Sequence, residues 1–268
     1  ATSTVSRALS GKIPVRPETA ARIREAAARL NYTPSALARG LRDGSSRTIG
    51  LIIPDISNPV FPEVALGAES EALKHGYQVI LANSHEDAGL ENELVDQMIR
   101  RKVEGLLIAS AGRDISETVW VDSALPVVQL VRKISGRVPV VVADQEQIGR
   151  LAAEHLLQKQ RYRPLVLTGD YSLPLYRQRT AGFISAYTAA GVIIPDSAII
   201  DASGREFAGL AQEETDILAY DAVFASCDLQ ALALLRYLLA CRIDIPGKIA
   251  VVGMDNTRIY HLCTPSIT

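Results

Sequence analysis

The chain has 268 residues, 28 Lys or Arg against 30 Asp or Glu, 48% hydrophobic residues and only 5% aromatics. That length is enough for a sizeable core, with room for a small head and a body of one or two lobes. Three late, unclustered cysteines (Cys227, Cys241 and Cys263) make a poor disulfide framework and a poor zinc site, no apolar run approaches the ~18 residues of a membrane span, and no basic-then-apolar leader opens the chain.

These features set the expectations: a cytoplasmic protein with no metal, no cofactor and no membrane partner. The net charge of −2 hides an asymmetry. Through Thr48 there are nine basic residues against three acidic ones, a balance of +6; the remainder carries 19 against 27, a balance of −8. A cationic head seeks a polyanion, and an acidic body limits indiscriminate sticking to it.

In chain order, Ala1–Leu9 reads as a short helix. Val5, Ala8 and Leu9 fall at i, i+3 and i+4 and form one apolar stripe. Thr2, Ser3, Thr4 and Arg7 fall largely elsewhere, and small hydroxyls followed by Arg suit base edges and phosphates in the DNA major groove. The alternative is a frayed Ser/Thr-rich terminus. Pro17 suits the first turn of a second helix with Ile23, Ala27 and Leu30 on one face, ended by Asn31-Tyr32-Thr33-Pro34. The stretch Ser35–Leu41 is too short to be a stable helix alone, and Gly40 costs about 1 kcal/mol relative to Ala. It reads either as a helix that needs a partner, with Leu41 as an apolar wedge in the minor groove beside Arg39, or as a flexible linker.

From Thr48 strands and helices alternate. Strands are expected at 49–53, 77–81, 103–109, 127–131, 138–143, 165–168, 198–201, 222–225 and 249–252. Helices are expected near 61–75, 90–101, 148–158, 179–190, 207–218 and 229–239. This rhythm implies parallel sheets with helices on both faces. So many strands fit two similar lobes, split near Asp144, better than one sheet. Ligands of such sheets sit at the carboxyl ends of the strands, which two lobes can turn toward a shared cleft.

An ordered set of motifs now stands out: Thr2-Ser3-Thr4-Val5-Ser6-Arg7-Ala8-Leu9-Ser10-Gly11; Leu30-Asn31-Tyr32-Thr33-Pro34; Ala36-Leu37-Ala38-Arg39-Gly40-Leu41; Ile49 through Phe61; Arg101–Ile108; Arg177-Gln178-Arg179-Thr180-Ala181-Gly182-Phe183; and Ile249–Asn256 followed by Thr264–Thr268. In this order they resemble the lactose/galactose-repressor (LacI-type) family of bacterial transcription regulators. The resemblance implies an α/β fold: a two-lobed regulatory domain like periplasmic sugar-binding proteins, preceded by a partial all-α helix-turn-helix headpiece and a hinge helix. It sets the headpiece at residues 1–34, the hinge and linker at 35–47, and the regulatory domain at 48–268, with lobes at about 48–144 and 145–266.

By the same resemblance, Thr2, Ser3, Thr4, Arg7, Tyr32, Ala38, Arg39 and Leu41 are the DNA-contact candidates. Asn58, Phe61, Arg179, Asp228 and Asp255 are the effector contacts. Arg offers a planar fork of donors, a carboxylate accepts from paired hydroxyls, and Phe61 gives a platform for a sugar face. A structural pairing of Arg179 and Asp255, with each other or with neighbours, is the alternative. The implied partners are operator DNA, a carbohydrate effector and a second copy of the chain. The implied function is a transcription regulator of the repressor type, with no catalysis.

The chain departs from the family pattern in several places. Cys227 replaces the Asn usual before the Asp, Arg16-Pro17 lacks a Ser/Thr helix cap, and Gly40 raises the ordering cost of the hinge. The chain begins inside the recognition helix and stops where the family chain crosses back, which leads to an expectation of truncation at both ends, weak operator binding and an incomplete first lobe.

Two other functional classes share parts of this pattern. An enzyme is disfavoured because no G-x-G-x-x-G follows a strand and there is neither a P-loop nor a G-x-S-x-G elbow. Loop carboxylates at Asp55, Asp144, Asp170 and Asp228, and His85 after the second strand, are the residues an enzyme would use. A sugar-binding transport receptor would share the body, but the +6 head argues against it.

Overall fold

The computed structural model describes residues 2–10, 15–32, 45–112, 118–203 and 217–267. It divides into two compact units, residues 1–47 and 48–268. The expected helix at 207–218 and the hinge stretch with Ala38, Arg39 and Leu41 fall outside the described residues, apart from a 3₁₀ turn at Ile217–Ala219.

In the first unit α1 (Thr2–Ser10) packs on α2 (Pro17–Arg29). The buried positions are alanines, Ala8 and Ala20, and small side chains let two short helices approach closely. Val5, expected on the buried stripe, is exposed, whereas Ala8 is buried and Leu9 half-buried. Pro17 opens α2 behind Arg16, which makes no side-chain cap. The helix ends at Arg29, earlier than a stop at Pro34 requires. Asn31 takes up a left-handed backbone (φ 48°), a conformation Asn tolerates better than most residues.

The second unit contains two wholly parallel sheets. The strands are β1 (Thr48–Ile53), β2 (Gln78–Asn83), β3 (Gly105–Ile108), β4 (Val127–Leu130), β5 (Val140–Val141), β6 (Pro164–Thr168), β7 (Ile199–Asp201), β8 (Ala222–Ala225) and β9 (Ala250–Val252). The first sheet runs β2-β1-β3-β4-β5 and the second β7-β6-β8-β9. The described helices are α3 (Val60–Lys74), α4 (Ala88–Arg100), α5 (Gln145–Gln158), α6 (Pro174–Ala189) and α7 (Asp228–Ala240).

Central strands are mostly apolar, as burial on both faces demands. Leu51, Ile52 and Ile53 of β1 are buried, as are all five residues of β6 and all four of β8. Phe183 stacks on Phe224 at 4.8 Å between ring centroids and tilts against Tyr187 at 5.0 Å in the second lobe.

Most element bounds shift by a few residues, and three of the differences bear on the site. The run 138–143 shortens to the two-residue β5. Helix α5 begins at Gln145 rather than Ile148, because the Asp144 carboxylate accepts the Gln147 N–H at 2.9 Å and caps it. Helix α6 begins at Pro174 rather than Arg179, since Pro is well placed in a first turn.

The first lobe buries a charge. Glu91 is fully inaccessible. Its carboxylate accepts from the Ser110 hydroxyl at 2.7 Å, the Ala111 N–H at 2.6 Å and the Trp120 indole N–H at 3.0 Å. Burial raises its pKa above the ordinary Glu value despite these three donors. It ties α4 to the loop after β3 and to Trp120. Glu91→Gln puts an amide N–H where an acceptor is needed, and leaves a buried donor facing the Ala111 N–H. We expect a loss of about 1–3 kcal/mol, read from urea unfolding with an unchanged slope.

Candidate functional site

The loops at the carboxyl ends of both sheets enclose a cavity of about 440 Å³, within the roughly 300–1,000 Å³ usual for small-molecule sites. The first lobe contributes Asn58, Val60 and Phe61 after β1, Glu86 after β2, and Val131 and Arg132 after β4. The second lobe contributes Leu175, Tyr176 and Arg179 from α6, Cys227 after β8, and Met254 and Asp255 after β9. Residues 141–143 and Gln145, on the crossover between the lobes, complete the lining.

On the first-lobe wall the charges are already paired. Arg132 donates to both oxygens of Glu86 at 2.7 Å each and to the Ser110 carbonyl at 3.0 Å. Burial works against its charge, but the Glu86 bonds outweigh burial and hold its pKa above the usual Arg value. The Asn58 side-chain oxygen accepts the Val60 N–H at 3.2 Å at the start of α3. Val131 is unusual. Its φ is +63°, and the Arg132 N–H donates to the Leu130 carbonyl at 2.5 Å, closing a γ-turn around it. A β-branched residue in this left-handed region is a strained outlier, at a cost of the order of 1–3 kcal/mol.

On the second-lobe wall Arg179 is buried and aimed. Its Nε donates to Gln145 Oε1 at 2.6 Å and its Nη1 to the Ser226 carbonyl, and its guanidinium lies 5.3 Å from the Tyr176 ring centroid. Burial lowers its pKa. The aim originates in a helix crossing. A Cβ at Gly149 of α5 would overlap the Arg179 carbonyl, and a Cβ at Gly182 of α6 would overlap the Glu146 carbonyl. Two glycines therefore let α5 and α6 meet backbone to backbone, which sets Gln145 beside Arg179.

Asp255 stands on the loop after β9. Its Oδ2 accepts the Asp228 N–H at 3.1 Å. Burial, then the Asp228 charge, raises its pKa above the ordinary Asp value. Burial also pushes the Cys227 thiol up to about 11, so it faces the cavity as a neutral, weakly bonding group.

Of the expected effector contacts, Asn58, Phe61, Arg179 and Asp255 are brought together around the cavity. Asp228 is not. It is 1% exposed, and its carboxylate accepts from the N–H groups of Asp255 (2.9 Å) and Thr257 (3.0 Å) and from the Thr257 hydroxyl (2.5 Å). So buried, and absent from the cavity lining, Asp228 shapes the loop that carries Asp255. No direct bond joins Arg179 to Asp255, but each pairs with its neighbours, Arg179 with Gln145 and Ser226 and Asp255 with the Asp228 N–H, so that half of the structural alternative is what the structure shows. The remaining loop carboxylates serve their own turns: Asp55 accepts from Ser57, Asp144 from Gln147 and Asp170 from Ser172. His85 sits at φ +53° near Asn83, away from the cavity lining.

Sequence reasoning missed Glu86, Val131, Arg132, Gln145 and Tyr176. No motif marks them; Val131 closes the expected strand 127–131, Arg132 follows it, Gln145 follows the run 138–143, and Glu86 and Tyr176 lie several residues past the nearest expected strand. In the head, Ser3 and Arg7 are exposed and Thr4 half-exposed on α1; Thr2 lies on the same helix, and Tyr32 follows α2 and is 57% exposed. Among the described residues no cluster of three metal-ligating side chains occurs, and no helix is long and apolar enough to cross a membrane.

Residues 46–259 match the family described as periplasmic binding proteins and sugar binding domain of LacI family, and residues 1–35 match bacterial regulatory proteins of the lacI family. The ribose operon repressor of Bacillus subtilis strain 168 is 34% identical over 267 residues, covering 99% of this chain and 81% of that protein. Catabolite control protein A of Priestia megaterium is 30% identical over 274 residues, covering 99% and 82%. The structure of a periplasmic binding protein/LacI transcriptional regulator from Alkaliphilus metalliredigens QYMF, complexed with D-xylulofuranose, superposes with a TM-score of 0.73 at 28% identity over 82% of each chain. The chain belongs to the LacI family of bacterial transcription regulators. It is a DNA-binding regulator of the repressor type with a sugar-binding effector domain.

The glycine crossing gives a direct test. Gly182→Ala forces α5 and α6 apart and costs about 1–3 kcal/mol. Gly67→Ala on α3, where an added Cβ meets nothing within 4 Å, is neutral or stabilises by up to about 1 kcal/mol. Thermal unfolding of the two variants measures the contrast.

Proposed function

We propose that a carbohydrate effector binds between the lobes, held by Arg179 and Asp255, and that its presence alters the grip of the protein on operator DNA. The observation that carries this reading is the unspent bonding capacity of the pair. Arg179 Nη2 and Asp255 Oδ1 border one cavity with no protein partner among the described residues, while their other atoms are locked in place. A donor fork beside a carboxylate acceptor suits vicinal hydroxyls.

In this reading Thr2, Ser3, Thr4 and Arg7 face base edges and phosphates, with Tyr32 beside them. Ala38, Arg39 and Leu41 meet the minor groove. The protein works as a cytoplasmic homodimer on a near-palindromic operator, because two-fold symmetry in the protein calls for it in the DNA. Effector and DNA affinities are then coupled reciprocally. In this reading the cleft binds its ligand and does not turn it over, in keeping with relatives that are transcription regulators.

Asp255→Ala abolishes the effector-dependent change in operator affinity and leaves affinity without effector near wild type. Gel shifts with and without D-ribose, D-xylulose and cellobiose read this out, and an unchanged response removes Asp255 from the site.

The pH profile gives a separate check. Protonation removes an acceptor, so effector affinity falls as pH drops through the raised Asp255 value, which lies above the ordinary 3.8. The sign for stability is opposite: a raised folded value means that this group's contribution shrinks as pH climbs through the same window. Calorimetric titration from pH 4 to 7 follows the first effect and thermal melts the second.

A further inference from the structure

Trp120 is the one tryptophan of the chain, and it is fully buried in the first lobe. Ile52 of β1, Val95 and Met98 of α4 and Leu106 of β3 share its apolar cluster. Its indole N–H is given to Glu91. Asn92, the next residue of α4, accepts the Val119 N–H at 3.1 Å, so two neighbouring side chains of one helix hold this segment. Neither Glu91 nor Trp120 borders the cavity.

Two influences on Glu91 oppose each other. As a carboxylate it satisfies three donors, Ser110, Ala111 and Trp120. As an acid it escapes the cost of a buried charge, and burial is the larger influence. The two N–H donors cannot turn round, whereas a hydroxyl can accept as well as donate. Proton uptake therefore reverses one bond: the Glu91 O–H comes to donate to Ser110 Oγ. That oxygen is fully buried and already accepts the Gly112 N–H at 3.0 Å, so the Ser110 hydrogen is left without its carboxylate. Ser110 must adjust, and its carbonyl is the one that accepts from Arg132 Nη1 at 3.0 Å. Arg132, on the loop after β4, is the charge that faces Glu91, and Glu86, on the loop after β2, holds the same guanidinium from the cavity side. The neighbours that β1, β3 and α4 supply around the indole are apolar.

We propose that Glu91 is a proton-operated positioning residue of the cleft: Trp120, Glu91, Ser110 and Arg132 form a relay that couples the charge on Glu91 to the seating of Arg132 in the cavity wall. With Glu91 ionised, the Ser110 hydroxyl is turned to it and the Ser110 carbonyl is held against Arg132. With Glu91 protonated, the turn from Ser110 to Gly112 shifts and Arg132 is left to Glu86. Such coupling is reciprocal, so a change at Arg132 must also appear at Glu91. The relay does not depend on what the cleft binds, and it lies in the opposite lobe from Asp255.

The test is Trp120 emission from the whole chain over about pH 4 to 8, with far-ultraviolet circular dichroism following the fold. Emission is expected to change in one step centred above 4.5, the ordinary Glu value, while the dichroism stays constant. Glu91→Gln abolishes the step. Ser110→Ala moves its midpoint up, since the carboxylate loses a donor. Glu86→Gln moves it down by about half a unit or more, because Arg132 is freed to stabilise the Glu91 charge. A packing role alone for Glu91 would leave Trp120 blind to Glu86→Gln. Emission that stays flat, or that changes only together with the dichroism, overturns the proposal. So does a midpoint that Ser110→Ala or Glu86→Gln leaves at the wild-type value. If Glu91→Gln fails to fold, the two opposite shifts decide by themselves.

Discussion

Two helices of the second lobe touch at their backbones, and the polar chemistry of the cleft depends on that contact. Gly149 and Gly182 are the reason α5 and α6 can come so close. The contact has a direct effect on the site. The carbonyl that Gly149 admits belongs to Arg179 itself, and the carbonyl that Gly182 admits belongs to Glu146, the neighbour of Gln145. A crossing one methyl wider would move Gln145 Oε1 away from the Arg179 Nε, and a buried guanidinium would lose a partner it needs in a poorly solvating environment. Helix packing and ligand recognition are thus the same problem in this lobe.

The same economy governs Asp228 and Glu91. Both are inaccessible carboxylates, and both are spent on backbone and side-chain donors rather than on a ligand. Asp228 fixes the loop that presents Asp255. Glu91, through Ser110, reaches the carbonyl that Arg132 grips. Each lobe uses an interior acid to hold a cleft-facing residue in place. A site built this way is ordered before its ligand arrives, which cuts the entropic cost of binding.

Much of the fold was legible in the sequence, because β/α alternation leaves a period that survives without tertiary context. The apolar runs at 49–53, 165–168 and 222–225 mark strands whose two faces are covered. The helix starts were less legible: the Asp144 cap and Pro174 extend α5 and α6 past where the apolar pattern begins. The site was half legible. Arg179 and Asp255 lie in recognisable motifs. That Asp228 is turned inward was not legible, because a sequence shows a carboxylate but not which donors it meets. Val131 was invisible for a related reason, since a backbone angle forced by a γ-turn leaves no trace in residue type. Glu86 and Arg132 lie 46 residues apart, and only the folded topology pairs them.

The bidentate Arg132–Glu86 pair has a consequence for kinetics. It cancels the formal charge of the first-lobe rim, so that wall offers little long-range steering to a charged metabolite, and capture of an uncharged sugar is nearly blind to ionic strength in any case. The cationic head is in the opposite situation, because its encounter with a polyanion is governed by counterion release. Salt therefore acts directly on the DNA encounter and reaches effector affinity only through the proposed coupling between the two sites.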